Sequence, residues 1–389
     1  MMCPLHEPVS NVLIAELIGD SPHTSRGEQR VFSWRPLGTS SIKVLLLAVA
    51  VGVYLIPSHI DPEPYIFEGP PPALDGPLAV NTRLQRGRQL FSGQLKGPES
   101  FTADQKGNIY TGTVDGKLWR ISNESLTFIT QMGRNIPECG TSTDYEPVCG
   151  RPHGLRLDRD GQLIVADSYQ GLFKVDAWTG EKTLLHSSTE GADGIPFGFL
   201  NGLEISKNGR VFFTDSSSKW GRRHVRYEVL ETNRLGRLLS FDPVTGRVRT
   251  LLDSLYMPNG FAFSPDEDFL LLAETSVAHI IKFWLKGPKA GTKEVVLNNM
   301  MGYPDNIRLS DRGTFLVGVT TLVRLSWYNV LLPKYGLILE LGPDGEVIDS
   351  LHDPTGSLTW AVSDVFQQGT HYYLGSTDLP FLPVLEEWS

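Results

Sequence analysis

The sequence predicts an all-β protein, a six-bladed β-propeller preceded by a single N-terminal transmembrane helix. Three observations carry this reading. A hairpin pattern recurs six times, turn residues are abundant (39 Gly and 26 Pro in 389 residues), and one long apolar run stands near the N-terminus. Many turns combined with 40% apolar residues favour many short strands around a buried core. The formal net charge of -9, with no Lys/Arg run interleaved with aromatics, argues against a nucleic-acid partner.

Residues 1–41 are polar and Pro/Ser-containing, the composition of a mobile cytoplasmic tail. Val44 to Ile56 is an unbroken apolar run, and Ile42 to Ile60 gives the length of a span, with Lys43 able to snorkel. A buried core helix is disfavoured beside such a tail. A cleaved signal peptide is disfavoured because some forty residues precede the run, although Ala48-Val49-Ala50 resembles a cleavage site. Residues 42–60 therefore read as a signal anchor. Arg26, Arg30, Arg35 and Lys43 lie on the N-terminal side of the apolar run, whereas Asp61, Glu63, Glu68 and Asp75 follow it. That asymmetry keeps the N-terminus cytoplasmic and makes the chain a type II protein of the plasma membrane or endoplasmic reticulum. Residues 61–83 are Pro-rich and read as a stiff stem.

The propeller is expected over residues 84–389. Its copies begin PESFTADQKGNIYTGT at Pro98, PHGLRLDRDGQLIVAD at Pro152, LNGLEISKNGRVFFTD at Leu200, PNGFAFSPDEDFLLLAE at Pro258, PDNIRLSDRGTFLVGV at Pro304 and AVSDVFQQGTHYYLGS at Ala361. Each reads as a strand, a tight turn and a second strand. Their second positions are spaced by 54, 48, 58, 46 and 57 residues, which leaves room for four strands per unit. Arg83 to Leu95 is available as a strand that closes the ring with the last blade.

The second positions read Glu99, His153, Asn201, Asn259, Asp305 and Val362. In a propeller, equivalent starts of innermost strands converge on one end of the central channel. Four of the six offer side-chain oxygens, two as carboxylates, with Asn306 available to extend the set. Ca²⁺ takes six to eight oxygens of these types, and the absence of nearby Cys disfavours Zn²⁺. Asx caps at strand starts are the plainer alternative for any single Asn. Pro before a ligand fixes φ, and Gly after it is expected to permit a tight turn. His153 in the same ring suits a general base acting on water at a metal-polarised carbonyl.

Cys139 and Cys149 are the only cysteines of the large domain. In an oxidising compartment they can pair; two free thiols are the alternative, and the Gly- and Pro-bearing loop they flank favours the bridge. Cys3 is then a cytoplasmic free thiol. Asn123-Glu124-Ser125 is a glycosylation sequon, expected at the end of a strand.

The stretches CGRPHGLRLD, NGLEIS, FFTDSSSKW, MPNGFAFSPDEDFLLLAET and GYPDNIR resemble the calcium-dependent six-bladed propellers that include paraoxonases, gluconolactonases and strictosidine synthase, and in particular the strictosidine synthase-like group. The resemblance covers the anchor and nearly the whole propeller. It implies a type II membrane glycoprotein with arylesterase-type hydrolase activity on a small-molecule ester or lactone. By motif, the metal ligands of paraoxonases match Glu99, Asn201, Asn259, Asp305 and Asn306, and their catalytic His matches His153. Three departures stand out. Ser168 occupies the place of the paraoxonases' second His. Val362 occupies the place of the Glu with which the synthases join an amine to an aldehyde, and Asp364 lies two residues off, so that condensation is not expected. Thr320 to Tyr335 is shorter than the family's usual blade-five insertion, with Leu322 to Leu332 readable as a short helix or a strand pair. Two functions follow as expectations: a Ca²⁺-dependent esterase or lactonase, or an interaction propeller whose calcium is structural. Protein partners are not legible.

Overall fold

The computed structural model describes residues 39–320 and 334–388. The tail, with Cys3 and the arginines that set the expected orientation, lies outside the described residues, as does most of the blade-five segment.

The first unit, up to His59, contributes one helix, Thr39–Leu55, of 17 residues. It stops short of the expected span end because Pro57 lacks an amide donor and biases Ile56 away from helical geometry. At 1.5 Å per residue it is about 25 Å long. Among the described residues no helix is long and apolar enough to cross a membrane. Every residue of this helix is exposed, including Leu45, Leu46, Leu47 and Val53.

The second unit, Ile60–Ser389, is a six-bladed propeller of six four-stranded antiparallel sheets. Its inner strands are Phe101–Ala103, Pro152–Leu157, Leu200–Ile205, Pro258–Phe263, Pro304–Leu309 and Val365–Gln368. Each of the first five sheets is one consecutive four-strand meander. The sixth takes its outermost strand from before blade one: Arg88–Leu90 pairs antiparallel with Leu382–Leu385, in register Arg88 to Val384 and Leu90 to Leu382. The two ends of the domain are thereby sewn together. Among the described residues six buried apolar clusters fill the six interfaces between neighbouring blades. That distribution follows from the period-2 pattern, since each blade is apolar on both faces and buries them against its two neighbours.

The hairpin turns bear out the repeat. Gly107, Gly161, Gly209, Gly313 and Gly369 have φ between 61° and 85°, the left-handed region that glycine enters without penalty. In the fourth copy Glu267 takes that conformation instead, at φ 54°.

Residues 61–83, expected as a spacer, are laid along the propeller. The Asp61 amide donates to Glu231 Oε1 at 2.9 Å and the Glu63 amide to the Glu231 carbonyl at 2.7 Å. Tyr65 packs edge-on against Tyr256 at 5.4 Å, and Ser350 Oγ donates to the Pro77 carbonyl at 2.6 Å. A proline-rich segment costs little entropy to immobilise, which suits it to this strap-like course.

Candidate metal centre at the end of the channel

Glu99, His153, Asn201, Asn259, Asp305 and Asn306 are all buried, and polar and electrostatic contacts tie all of them except Asn201 to one another. The glycines behind them do not act as expected. Gly154, Gly202 and Gly260 are absent from the positive-φ positions. Their role is close approach. A Cβ on Gly154 would stand 2.5 Å from the Asn201 carbonyl, one on Gly202 2.6 Å from the Asn259 carbonyl, and one on Gly260 would run into Asn306 Oδ1. Each glycine makes room for the ring residue of the next blade, so the inner strands close tightly around the axis.

The side chains are oriented by one another. Asn201 Nδ2 donates to Ser216 Oγ at 3.1 Å, and Asn306 Nδ2 donates to Glu99 Oε1 at 3.0 Å. The Asn259 amide supports the Asp305 carboxylate. Glu99 Oε2, Asn201 Oδ1 and Asn259 Oδ1 are buried without a hydrogen-bond partner. An unmatched buried oxygen costs about 1–3 kcal/mol, so three together need a compensating charge. Burial, with Glu99 and Asp364 nearby, pushes the Asp305 carboxyl well above its ordinary range. Among the described residues no group of three His, Cys, Asp or Glu is placed to hold a metal. A donor set of two carboxylates and three amides belongs to a hard cation rather than to zinc. The residues present therefore fit Ca²⁺.

His153 Nδ1 lies 3.4 Å from Glu99 Oε2, and neither ring nitrogen makes a hydrogen bond. Its ring packs edge-on against Phe199 at 5.5 Å, and burial lowers its pKa, so it is neutral. Ser168, in the place of a second His, is committed elsewhere: its Oγ donates to the Leu200 carbonyl at 2.9 Å. Val362 is fully buried in the apolar cluster between blades five and six. Asp364 is drawn away from the ring by Arg308, whose Nε donates to Asp364 Oδ1 at 2.8 Å.

One positioning device escapes a reading of second positions alone. The dipeptides Asp167-Ser168, Asp215-Ser216 and Glu274-Thr275 follow one another in register at the ends of second strands. The acid holds the run-up to its own blade's ring residue: Asp167 accepts from the Arg151 amide, Asp215 from the Phe199 amide and Glu274 from the Tyr256 amide. The hydroxyl clamps the next blade, with Ser168 on the Leu200 carbonyl, Ser216 on Pro258 and Thr275 on Pro304. The signal was visible as an acid–hydroxyl pair in VADS, FTDS and LAET.

Two charged clusters flank the ring. Arg151, wholly buried, and Arg222 both face Glu146, with Arg222 Nη1 at 3.0 Å from Glu146 Oε1. Tyr169 Oη donates to the other oxygen of Glu146 at 2.9 Å. Glu146 lies in the short helix Glu146–Cys149, inside the loop that the Cys139–Cys149 disulfide closes. Arg222 comes from the blade-three excursion that also carries the helix Val225–Glu231. Further down the inner strands, Arg308 is paired with Asp364, and Arg156 with Glu204.

The blade-three helix holds a second buried acid with a measurable signature. Burial pushes Glu228 up to about 7 from an ordinary 4.5, and one of its oxygens has no partner. The folded state thus binds this proton more tightly than the unfolded chain. Its stabilising contribution is complete below pH 4.5 and is lost as pH rises through 7. Glu228→Gln is expected to remove a pH-dependent loss on the order of 2–3 kcal/mol between those limits, read from denaturation midpoints across the range.

The class is a six-bladed propeller whose inner strands start on an oxygen-rich ring. Residues 76–121 match the strictosidine synthase-like N-terminal family and residues 201–288 match the strictosidine synthase family. The adipocyte plasma membrane-associated protein of Homo sapiens is 38% identical over 96% of this chain and 95% of its own length. The chain belongs to the adipocyte plasma membrane-associated protein family, within the strictosidine synthase-like group. Among solved structures, a gluconolactonase from Xanthomonas campestris superposes with a TM-score of 0.56 at 16% identity, covering 85% of this chain and 98% of that one. A calcium-binding protein, regucalcin, from Agrobacterium tumefaciens gives 0.54 at 15% identity, over 76% and 92%. At those identities the likeness concerns the fold.

Proposed function

We propose that this chain is a membrane-anchored, Ca²⁺-dependent hydrolase of small aryl esters or lactones. The observation that carries the reading is the set of three buried, unpartnered oxygens beside His153. Glu99, Asn201, Asn259, Asp305 and Asn306 would hold the ion, which when bound supplies Lewis-acid polarisation of a carbonyl. Neutral His153 takes the proton from the attacking water; its nitrogens are free of other hydrogen bonds. Burial of the ring excludes bulk water and strengthens each of these interactions.

The anchor reading rests on the unbroken apolar run Val44 to Ile56 and on the exposed apolar side chains of the helix Thr39–Leu55. Relatives named plasma membrane-associated agree with it. In the type II orientation the propeller is lumenal or extracellular, a compartment in which the Cys139–Cys149 bridge persists. Asn123, exposed in a hairpin turn at φ 48°, would then carry a glycan.

Purified full-length protein is assayed on aryl acetates and lactones, with an endoglycosidase shift on the same preparation reporting the lumenal side. Chelation and His153→Gln are each expected to lower the rate at least about a hundredfold. Rates indifferent to both would sink the mechanism. A second reading, an interaction propeller with a structural ion, draws on the committed Ser168 hydroxyl and the Arg222–Glu146 pair. Under it chelation lowers the melting temperature while no ester turns over.

A further inference from the structure

A carboxylate shared by two guanidiniums leaves one positive charge unanswered, and Glu146 is in that position. Its Oε1 accepts from Arg222 Nη1 at 3.0 Å and faces Arg151 Nε at 3.9 Å, while its Oε2 accepts from Tyr169 Oη. Arg151 is wholly buried, and its Nε and Nη2 have no hydrogen-bond partner. Arg222 is 9% exposed, and among the described residues only its Nη1 donates a hydrogen bond. Burial, and then the neighbouring Arg222 charge, lower the pKa of Arg151. Buried charges are paired as a rule, so the excess calls for a second anion.

A cavity of about 210 Å³ has room for one. The buried Arg222 and Glu146 form its floor, and Ser142 and Thr143 of the disulfide-closed loop line one wall. The exposed Lys96 and Asp378 stand at the rim, where their charges offset each other. With Arg151 behind Glu146, the cavity therefore carries a single excess positive charge. That suits a carboxylate better than a dianionic phosphate, and a planar guanidinium meets a carboxylate through two parallel hydrogen bonds. The cavity adjoins the oxygen ring. Lys96 lies three residues before Glu99, and Arg151, two residues before His153, donates from Nη1 to the Gly97 carbonyl at 3.4 Å. The Arg222 charge acts on both His153 and Asp305.

We propose that this cavity is the specificity pocket of the candidate site, and that the substrates are esters or lactones bearing a carboxylate, which Arg222 binds there. Arg222 donates from Nε and Nη2, the groups that Glu146 leaves free, and Arg151 adds the second charge from behind. Arg222 thus determines specificity: it holds one end of the molecule while the ester carbonyl lies at the oxygen ring beside His153. The proposal rests on the hydrolase reading above.

The full-length protein is assayed with 3- and 4-acetoxybenzoate and with their methyl esters, which share the scissile acetate and lack the charge. Wild type is expected to favour at least one acetoxybenzoate over its methyl ester by about tenfold or more in kcat/KM, the worth of a charge-assisted hydrogen bond. Arg222→Gln should bring that ratio close to one, through KM rather than kcat. Arg222→Lys should restore part of it, since lysine keeps the charge without the planar fork. The wild-type ratio decides by itself if Arg222→Gln does not fold. Equal use of charged and methylated esters by wild type, with chelator-sensitive turnover of both, overturns the carboxylate pocket and leaves the hydrolase. An undiminished preference in Arg222→Gln overturns the pocket as well. If no ester turns over, the hydrolase reading has failed, and saturation-transfer NMR with benzoate decides the pocket. Benzoate bound by wild type and not by Arg222→Gln sustains a carboxylate site, and no binding to wild type overturns it.

Discussion

Asp364→Ala is expected to destabilise the propeller by about 3–5 kcal/mol, the cost of stranding a buried charge. The partner left behind is Arg308, nearly buried, which otherwise donates from Nε and Nη2 to both Asp364 oxygens and from Nη2 to the Phe101 carbonyl at 2.7 Å. Asp364 also accepts from the Phe101 and Val365 amides, at 3.2 and 3.0 Å, so its loss frees the start of one inner strand and the start of another. The pair Arg308→Met with Asp364→Leu should cost far less than either single change, because no unpaired charge remains. Urea denaturation of the two single variants and the double variant measures this. If the double variant is as damaged as Asp364→Ala, packing rather than charge is what Asp364 supplies.

That prediction also marks where the sequence was readable. Blade number, hairpin turns and closure by an N-terminal strand were legible because they depend on period and on glycines at turns, both local properties. The second positions were legible as a set because a propeller converts equal register into spatial convergence. Asp364 was not: two residues from Val362 keeps a strand face, but only the position of Arg308 shows that the carboxylate is occupied below the ring. The glycines show the same limit. Gly154, Gly202 and Gly260 were expected to serve their own turns, whereas what they accommodate is the backbone of the next blade, a neighbour some fifty residues away. The strap likewise carries a stem's composition, and nothing local in Asp61 or Glu63 announces that Glu231 receives both amides.

Asp305→Asn is expected to abolish calcium-dependent stabilisation while leaving the calcium-free fold intact. A ligand held only by the folded state at one hundred times its dissociation constant stabilises by about 2.7 kcal/mol. Wild type should show a rise in melting temperature with calcium that chelator reverses, and Asp305→Asn and Glu99→Gln should not. The calcium-free side of the experiment separates a metal ligand from a structural acid. Asn is isosteric with Asp and keeps an oxygen toward Asn259, and it removes one of the like charges shared with Glu99 and Asp364. Without calcium, Asp305→Asn should therefore melt at or above wild type. Glu99→Gln has less to gain, because Asn306 Nδ2 already donates to Glu99 Oε1 and His153 lies beside Oε2. Should both variants melt well below wild type whether calcium is present or not, the two acids are structural and the unpartnered oxygens need another explanation. Should both keep the calcium response, the ion binds elsewhere and His153 loses its proposed partner.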